Sequence, residues 1–490
     1  MKKPLVLCIM DGVGINPNTE HNAVKLAHMP FFNSLLEKYP HSQLRADGEF
    51  VGLPAGLMGN SEVGHMTIGS GRVVMQYLLR FQKEDWSKNK KLNDFIESVR
   101  AAGGVVHFAG LMSSGCVHSS IDDELTIMKY ILNSGVRVCI HFVADGRDVA
   151  PKSAAEFIDL IKRELAEFFS DGRTFFGTLS GRYYTMDRNK NMDRTELAFN
   201  AIARGVAEFT APDIDTALRD AYARGETDEF IKPTVIDGDM AISNTDGFIW
   251  GNYRSDRSRQ IVRAMTKTGV KILCFSQYGE GLNEACPALL DDEVHDNSLG
   301  LVLASAGKTQ LRIAETEKYN HVTYFFDIES NDELNGMKKI LIPSPDVATF
   351  DLKPEMSAIE ITDKLVEELP NFDVVILNYA NGDMVGHTGN EPAAIRAMEC
   401  LDKQLARLVP AVLDLGGALL ITADHGNCEE MWDADNNAPL TSHTTNPVNL
   451  IVVGLGNVTV RDGGLSDIAP TMLKILNLPQ PADMTGHSLI

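Results

Sequence analysis

The sequence predicts an α/β protein: a doubly wound sheet, discontinuous in sequence, with a second α/β domain inserted into it. Three observations carry this. Three short apolar runs, far apart in the chain, each end in acidic or histidine residues. A long middle block has strand-like runs of its own but lacks that pattern. The 490 residues also exceed what a single hydrophobic core holds, which makes two domains the natural division.

The first element is the run Leu5–Met10 in "MKKPLVLCIMDG", apolar throughout, as suits a strand buried on both faces. It stops at Asp11 without a small-residue cleavage site, so it reads as a strand and not as a signal peptide. The layout recurs in "FDVVILNYANGDMVGHTG", where 373–377 forms the strand and Asp383 and His387 follow in the loop beyond it. It recurs again in "GGALLITADHGNCEE", where Ala418–Thr422 is followed by Asp424 and His425. His443 lies in the polar stretch "TSHTTNPV". In a parallel α/β sheet the carboxyl ends of the strands share one edge, where ligands bind. That topology gathers Asp11, Asp383, His387, Asp424 and His425. Singly, an Asp-Gly after a strand is an ordinary turn. Three repeats with mixed oxygen and nitrogen donors read as metal ligands, suited to Mn²⁺ or Zn²⁺ and sufficient for two ions. Two close divalent ions suit phosphoryl transfer.

"MGNSEVGHMTIG" sets Ser61 among glycines. No histidine relay accompanies it, so its activation falls to a metal ion or to a helix N-terminus that favours phosphate. The bland alternative makes Ser61 a helix N-cap with Glu62 in the first turn.

Between about residues 76 and 295 the motifs carry arginine instead. "HFVADGRDVAPKSA" holds Asp145, Arg147 and Asp148; "GTLSGRYYTMDRNKNMDR" holds Arg182 and Arg188; "WGNYRSDRSRQIVRA" holds Arg254 and Arg257 where the chain enters a helix; "LMSSGCVHSS" holds His118. Guanidinium forks match carboxylate and phosphate oxygens. With a net charge of −22, arginines placed in motifs suggest a pocket for a small acid, whereas nucleic acid and anionic membranes are disfavoured. The alternative for each arginine is a surface ion pair. Asp148 and His118 are candidates for acid and base, or for orienting the arginines. "QLRIAETEKYNHVTYFF" opens the return to the first sheet with Lys318, a cation for a phosphate. The expected domains are therefore 1–75 with 296–490, binding metal, and 76–295, binding substrate. Hinges are expected near 74–77 and 292–298. Seven scattered cysteines without a CxxC pair suggest reduced thiols and a cytoplasmic protein, and no run reaches the length of a membrane helix.

These stretches, in this order, carry a resemblance that covers nearly the whole chain. With "MDGVG", "MGNSEVGHMTIGSGR", "VHSS", "DGRD", "SGRYYTMDR", "RSDR", "AETEKYNHVT", "NYANGDMVGHTG", "TADHGN" and "TSHTTNPV", the sequence closely resembles the cofactor-independent phosphoglycerate mutases of the alkaline phosphatase superfamily. "GNSEVGH" and "AETEKY" are the specific ones. The resemblance implies an alkaline-phosphatase-like sheet and interconversion of 2- and 3-phosphoglycerate without bisphosphoglycerate. It implies Ser61 as the nucleophile that becomes phosphoserine, and two divalent ions, typically Mn²⁺, with Co²⁺, Zn²⁺ or Mg²⁺ in some members. One ion falls to Asp383, His387 and His443, the other to Asp11, Ser61, Asp424 and His425. His118, Arg147, Asp148, Arg182, Arg188, Arg254, Arg257 and Lys318 match substrate-binding positions. The middle domain would close over the site and exclude water while glycerate reorients. The chain departs from the family pattern at Ser114, Cys116 and Ser255, and is somewhat short. The expected partner is phosphoglycerate alone, with a monomeric enzyme. A metal-dependent phosphomonoesterase or a phosphopentomutase shares the metal edge without needing the arginines. A non-catalytic binding protein would have a broken ligand set. "DGVGINP" lacks the third glycine of a dinucleotide fingerprint. Because histidines bind metal only when neutral, activity is expected to fall as pH drops toward 6 and below.

Overall fold

The computed structural model describes residues 2–236, 241–279, 281–291, 296–434 and 437–490. The chain divides into two compact units, Met1–Gln76 with Val294–Ile490, and Tyr77–Glu293. Of the expected hinge at 292–298, residues 292–295 lie outside the described residues.

The first unit is built on an eight-stranded sheet. Its middle is five parallel strands in the order Met337–Ile342, Gln310–Glu315, Val374–Tyr379, Leu5–Met10 and Ala418–Thr422. Val448–Val453 and His41–Arg45 follow, each antiparallel to its predecessor, and Gly463–Gly464 completes the order. Leu5–Met10 is buried at every position, as a strand covered by helices on both faces must be. In register, Met10 lies opposite Tyr379 and Ile9 opposite Thr422, so the residues that follow these three strands emerge side by side.

The second unit carries a seven-stranded sheet in the order Phe209–Ala211, Thr234–Ile236, Thr174–Gly181, Arg137–Ala144, Val105–Leu111, Gly247–Trp250 and Lys271–Cys274. Only the pairing of Thr174–Gly181 with Thr234–Ile236 is antiparallel. Each unit has its own apolar core, around Leu7, Ile376 and Leu420 in the first and Phe108, Ile140 and Phe275 in the second. Among the described residues no helix is long and apolar enough to cross a membrane. All seven cysteines are free, and only Cys116 is exposed.

Candidate metal centre and arginine cluster

The first unit gathers its polar residues at the carboxyl edge of four adjacent parallel strands. Asp11 follows Leu5–Met10 directly, its N–H donating to Tyr379 O (3.0 Å). Gly12, at φ +72°, lets the chain turn against the neighbouring segment: a Cβ there would stand 2.6 Å from the Asp383 backbone nitrogen. Asp383 was expected in a loop. Instead it lies in a short helix, Asn381–Gly386, anchored by Asn381 Nδ2 donating to Pro354 O and Glu355 O, both 2.8 Å. The helical turn sets Asp383 and His387 on one face, four residues apart, with Oδ1 and Nε2 3.1 Å from each other.

Ser61 is the first residue of the buried helix Ser61–Ser70. Asn60 is the N-cap, its Oδ1 accepting from Val63 N (3.1 Å). Ser61 is therefore not the N-cap, and its hydroxyl is turned to Asp11, His425 and Lys318. The flanking glycine Gly64 allows the close approach, since a Cβ there would meet Asp424 O at 2.7 Å.

Two donor clusters result. In one, His387 Nε2 and His443 Nε2 are 3.0 Å apart and lie 3.1 and 2.9 Å from Asp383 Oδ1. The outer nitrogens donate to backbone carbonyls, His387 Nδ1 to Thr441 O (2.6 Å) and His443 Nδ1 to Gly59 O (2.8 Å). Three side-chain donor atoms therefore converge on one point with the outer ring nitrogens turned to carbonyls, an arrangement a cation can occupy in place of protons. In the other cluster, His425 Nε2 lies 2.9 Å from Ser61 Oγ and 3.5 Å from both Asp11 Oδ1 and Asp424 Oδ2, with Nδ1 turned to Gly426 O (3.2 Å). Asp424 Oδ2 is fully buried, with His65 Nδ1 3.1 Å away but no well-aligned hydrogen bond among the described residues. Asp383–His387–His443 and Asp11–Asp424–His425 are thus two clusters of metal-ligating residue types whose donor chemistry suits a divalent cation.

Lys318 joins them. It ends the turn after Gln310–Glu315, and its Nζ contacts Ser61 Oγ (2.6 Å), Asp383 Oδ2 (2.6 Å) and Asp11 Oδ1 (2.9 Å). The electrostatics follow from this packing. Burial alone would discharge Lys318, but Asp11, Asp383 and Asp424 outweigh it and hold the ammonium above its usual range. Burial, then the Asp424 charge, pushes Asp11 up. Against burial, Lys318 and the histidines pull Asp383 well down. The hydrogen bond to Asp383 raises His387, whereas burial lowers His425.

Several contributors were not singled out in the sequence. Asn378, inside a buried strand, donates to Asp11 Oδ2 (2.7 Å) and contacts His65 Nε2 (3.0 Å); His65 Nδ1 in turn donates to Ser61 O (2.9 Å). Glu429 accepts from Gly14 N (3.0 Å), Asn427 N (2.8 Å), Asn446 Nδ2 (3.0 Å) and Thr444 Oγ1, tying three loops together. The available signal was a polar residue within an otherwise apolar strand, as at Asn378 in "VVILNY".

The second unit brings the other predicted residues together in the same topological position. His118 follows Val105–Leu111, Arg147 and Asp148 follow Arg137–Ala144, Arg182 follows Thr174–Gly181, and Arg254 and Arg257 follow Gly247–Trp250. The last two lie in the turn before the helix Arg259–Met265 and not inside it. Asp145 organises the cluster. It accepts from Ser113 Oγ (2.6 Å), Arg182 Nη1 (2.6 Å), Asp148 N (3.0 Å) and Arg147 N (3.2 Å). Arg182 is 2 % exposed and also bonds Asp148 (2.5 Å), while its Nε has no partner among the described residues. Arg147 pairs with Glu229 (3.2 Å), Arg188 with Asp256 (3.0 Å), and Arg257 Nη1 donates to Met186 O (3.1 Å); Arg254 is exposed. Burial and then Arg182 push His118 down to about 4, and burial with Arg182, Arg188 and Arg147 nearby lowers Arg257. Beyond burial, these shifts reflect guanidiniums crowded together even with their carboxylate partners in place.

A discontinuous α/β sheet with paired cation sites beside a buried serine defines a metalloenzyme, and the Metalloenzyme superfamily model matches residues 3–480. Among curated proteins, the chain is 43% identical over 507 residues to the 2,3-bisphosphoglycerate-independent phosphoglycerate mutase of Ectopseudomonas mendocina, covering 100% of this chain and 98% of that one. It is 44% identical over 514 residues to phosphoglycerate mutase 2 of the same kind from Methanosarcina acetivorans, with 100% and 98% coverage. The crystal structure of Leishmania mexicana phosphoglycerate mutase at low cobalt concentration superposes with a TM-score of 0.70 at 28% identity, covering 100% of this chain and 98% of that one. The chain belongs to the 2,3-bisphosphoglycerate-independent phosphoglycerate mutases.

Proposed function

We propose that this chain interconverts 3-phosphoglycerate and 2-phosphoglycerate by metal-dependent phosphoryl transfer through phosphoserine at Ser61, without bisphosphoglycerate. The observation that carries the reading is the setting of Ser61: a buried hydroxyl opening a helix, with Lys318 Nζ at 2.6 Å, His425 Nε2 at 2.9 Å and Asp11 Oδ1 at 3.2 Å.

Asp383, His387 and His443 would hold one ion, and Asp11, Ser61, Asp424 and His425 the other, with Mn²⁺ the assigned metal. When bound, the pair supplies Lewis-acid stabilisation of phosphoryl oxygens and acidifies the serine hydroxyl. The protein's part is positional. The amino end of helix Ser61–Ser70 favours a phosphate beside Ser61. Lys318 stabilises the ionised Oγ as it attacks phosphorus in line and releases glycerate. Arg147, Arg188, Arg254 and Arg257 are assigned to the acid's oxygens, together with the unpartnered Nε of Arg182, and His118 and Asp148 are assigned to orient them. Residues 76–295 are then the substrate-binding domain, and 1–75 with 296–490 the metal-binding domain. Retention of glycerate while Ser61 carries the phosphoryl group separates a mutase from a phosphatase. Free, mostly buried thiols favour a cytoplasmic setting, and we assign a monomer, to be checked by light scattering.

Phosphorus NMR of 3-phosphoglycerate with metal-stripped protein, Mn²⁺ restored and bisphosphoglycerate absent, tests this. A 2-phosphoglycerate signal is expected. Inorganic phosphate alone identifies a phosphatase instead, and an unchanged spectrum with every divalent metal overturns the reading.

A further inference from the structure

The second unit contains a buried set of donors that the arginine cluster does not use. His107, Cys139 and His141 come from two adjacent parallel strands, with His107 and Cys139 directly opposite each other in register. All three are buried, and their donor atoms lie within 4.8 Å of one another. His107 Nδ1 is 2.9 Å from His141 Nε2, and Cys139 Sγ is 3.7 Å from the same His141 Nε2. A tetrahedral zinc ion, bonded at about 2.0–2.1 Å to nitrogen and about 2.3 Å to sulfur, sets its donors roughly 3.3–3.6 Å apart. The trio needs to open by only a few tenths of an ångström between the two rings.

The surroundings are those of a ligand set. His107 turns its outer nitrogen, Nε2, toward Asp246 Oδ2 (3.7 Å), and that carboxylate is fixed by Val105 N (2.8 Å) and by Ser243 N and Oγ (both 2.7 Å). These bonds, against the effect of burial, hold Asp246 well below the usual carboxylate range, so it faces His107 Nε2 as an anion and favours the proton on that nitrogen. In that tautomer the inner Nδ1 offers a lone pair. His141 presents Nε2 inward and Nδ1 to Thr178 Oγ1 (3.0 Å), a hydroxyl able to donate or accept. Carboxylate and hydroxyl behind ligating imidazoles are the usual supports of a metal site. The neighbouring strand also makes room. Its register shifts at Gly177, which is skipped between the pairs Ile140–Phe176 and His141–Thr178. A Cβ on Gly177 would stand 2.4 Å from Cys139 Sγ, so only glycine leaves the sulfur its place.

We propose that His107, Cys139 and His141 form a third metal site, closed and selective for a thiolate-binding cation of the Zn²⁺ class. Binding replaces the Cys139 S–H bond with a metal–sulfur bond and releases that proton to solvent. The His141 proton moves from Nε2 to Nδ1, with the Thr178 hydroxyl turning from donor to acceptor. Thiolate and Asp246 together balance the two positive charges, which a buried ion requires.

Cobalt(II) is the probe, supplied during expression of the full chain because the site is closed to solvent after folding. A sulfur-to-cobalt charge-transfer band is expected, since the donors assigned in the first unit include no sulfur. Cys139→Ser should abolish the band and lower the cobalt content by one ion per chain, with phosphoglycerate turnover unchanged. X-ray absorption of the wild-type protein loaded with zinc provides a reading that no variant's folding can affect: a sulfur neighbour at about 2.3 Å is expected. No charge-transfer band and no sulfur neighbour in the wild type would overturn the site, leaving His107–His141–Thr178 as a buried hydrogen-bond chain.

Discussion

The two units use the same topological position for opposite electrostatic purposes. Both gather polar residues at the carboxyl edge of adjacent parallel strands. In the first, the residues are carboxylates and imidazoles around the ammonium of Lys318, the carboxylates and His425 buried, His443 half-buried and His387 exposed. In the second they are guanidiniums, of which Arg182 is buried and the others lie nearer solvent. Anions can be sunk this deeply only where cations answer them. Arginines meant for a soluble acid must keep their forks reachable. The first edge is therefore suited by its chemistry to cations, and the second to anions.

The largest effect should come from the first edge. Ser61→Ala is expected to lower mutase turnover by about 10⁴-fold or more, as loss of a nucleophile does. Far-ultraviolet circular dichroism should be unchanged, because Asn60 and not Ser61 caps the helix. Turnover within tenfold of wild type would remove Ser61 from the mechanism. Next in size is the buried ion pair of the second edge. Asp145→Ala leaves Arg182 without one of its two carboxylates and should destabilise the protein by about 3–5 kcal/mol in denaturant titration.

A smaller effect concerns pH. Burial raises the Glu315 carboxyl to about 7, despite bonds from Ser344 Oγ (2.8 Å) and Ser357 N (3.3 Å). The folded state thus prefers the protonated acid. The associated stability is complete below the unfolded value near 4.5 and is lost as pH rises through about 7. Glu315→Gln, which cannot ionise, should lose about 3 kcal/mol less than wild type between pH 4.5 and 8 in thermal or urea unfolding. Parallel curves for the two proteins would exclude Glu315 as the titrating group. The smallest effect is Arg254→Ala. This exposed side chain should cost about 10- to 100-fold in kcat/KM, mostly through KM, with the melting temperature unmoved. An equal loss of stability would mark it as structural.

Much of this was legible in the chain. The apolar run before Asp11 and the similar runs before Asp383 and Asp424 identify buried parallel strands, because a strand covered on both faces has no polar alternation. The α/β class and the grouping of acids and histidines follow from that periodicity. The helix that carries Asp383 was missed because "NGD" reads as a turn, and only the anchoring of Asn381 to Pro354 and Glu355 favours the helical alternative. His65, Asn378 and Glu429 were passed over for a similar reason: each meets residues distant in sequence, His65 at Asn378 and Asp424, Asn378 at Asp11, and Glu429 at Gly14.

By itself, then, the sequence determined the strands, the chemistry at their ends and the family, since these depend on local composition and short spacing. Tertiary structure alone decided that the Ser61 hydroxyl meets His425, that Lys318 stands between the two donor clusters, and that Gly177 yields its place to the Cys139 sulfur. Each of these is a contact closed by packing, and distance between side chains on separate elements is fixed by the fold and not by the order of residues.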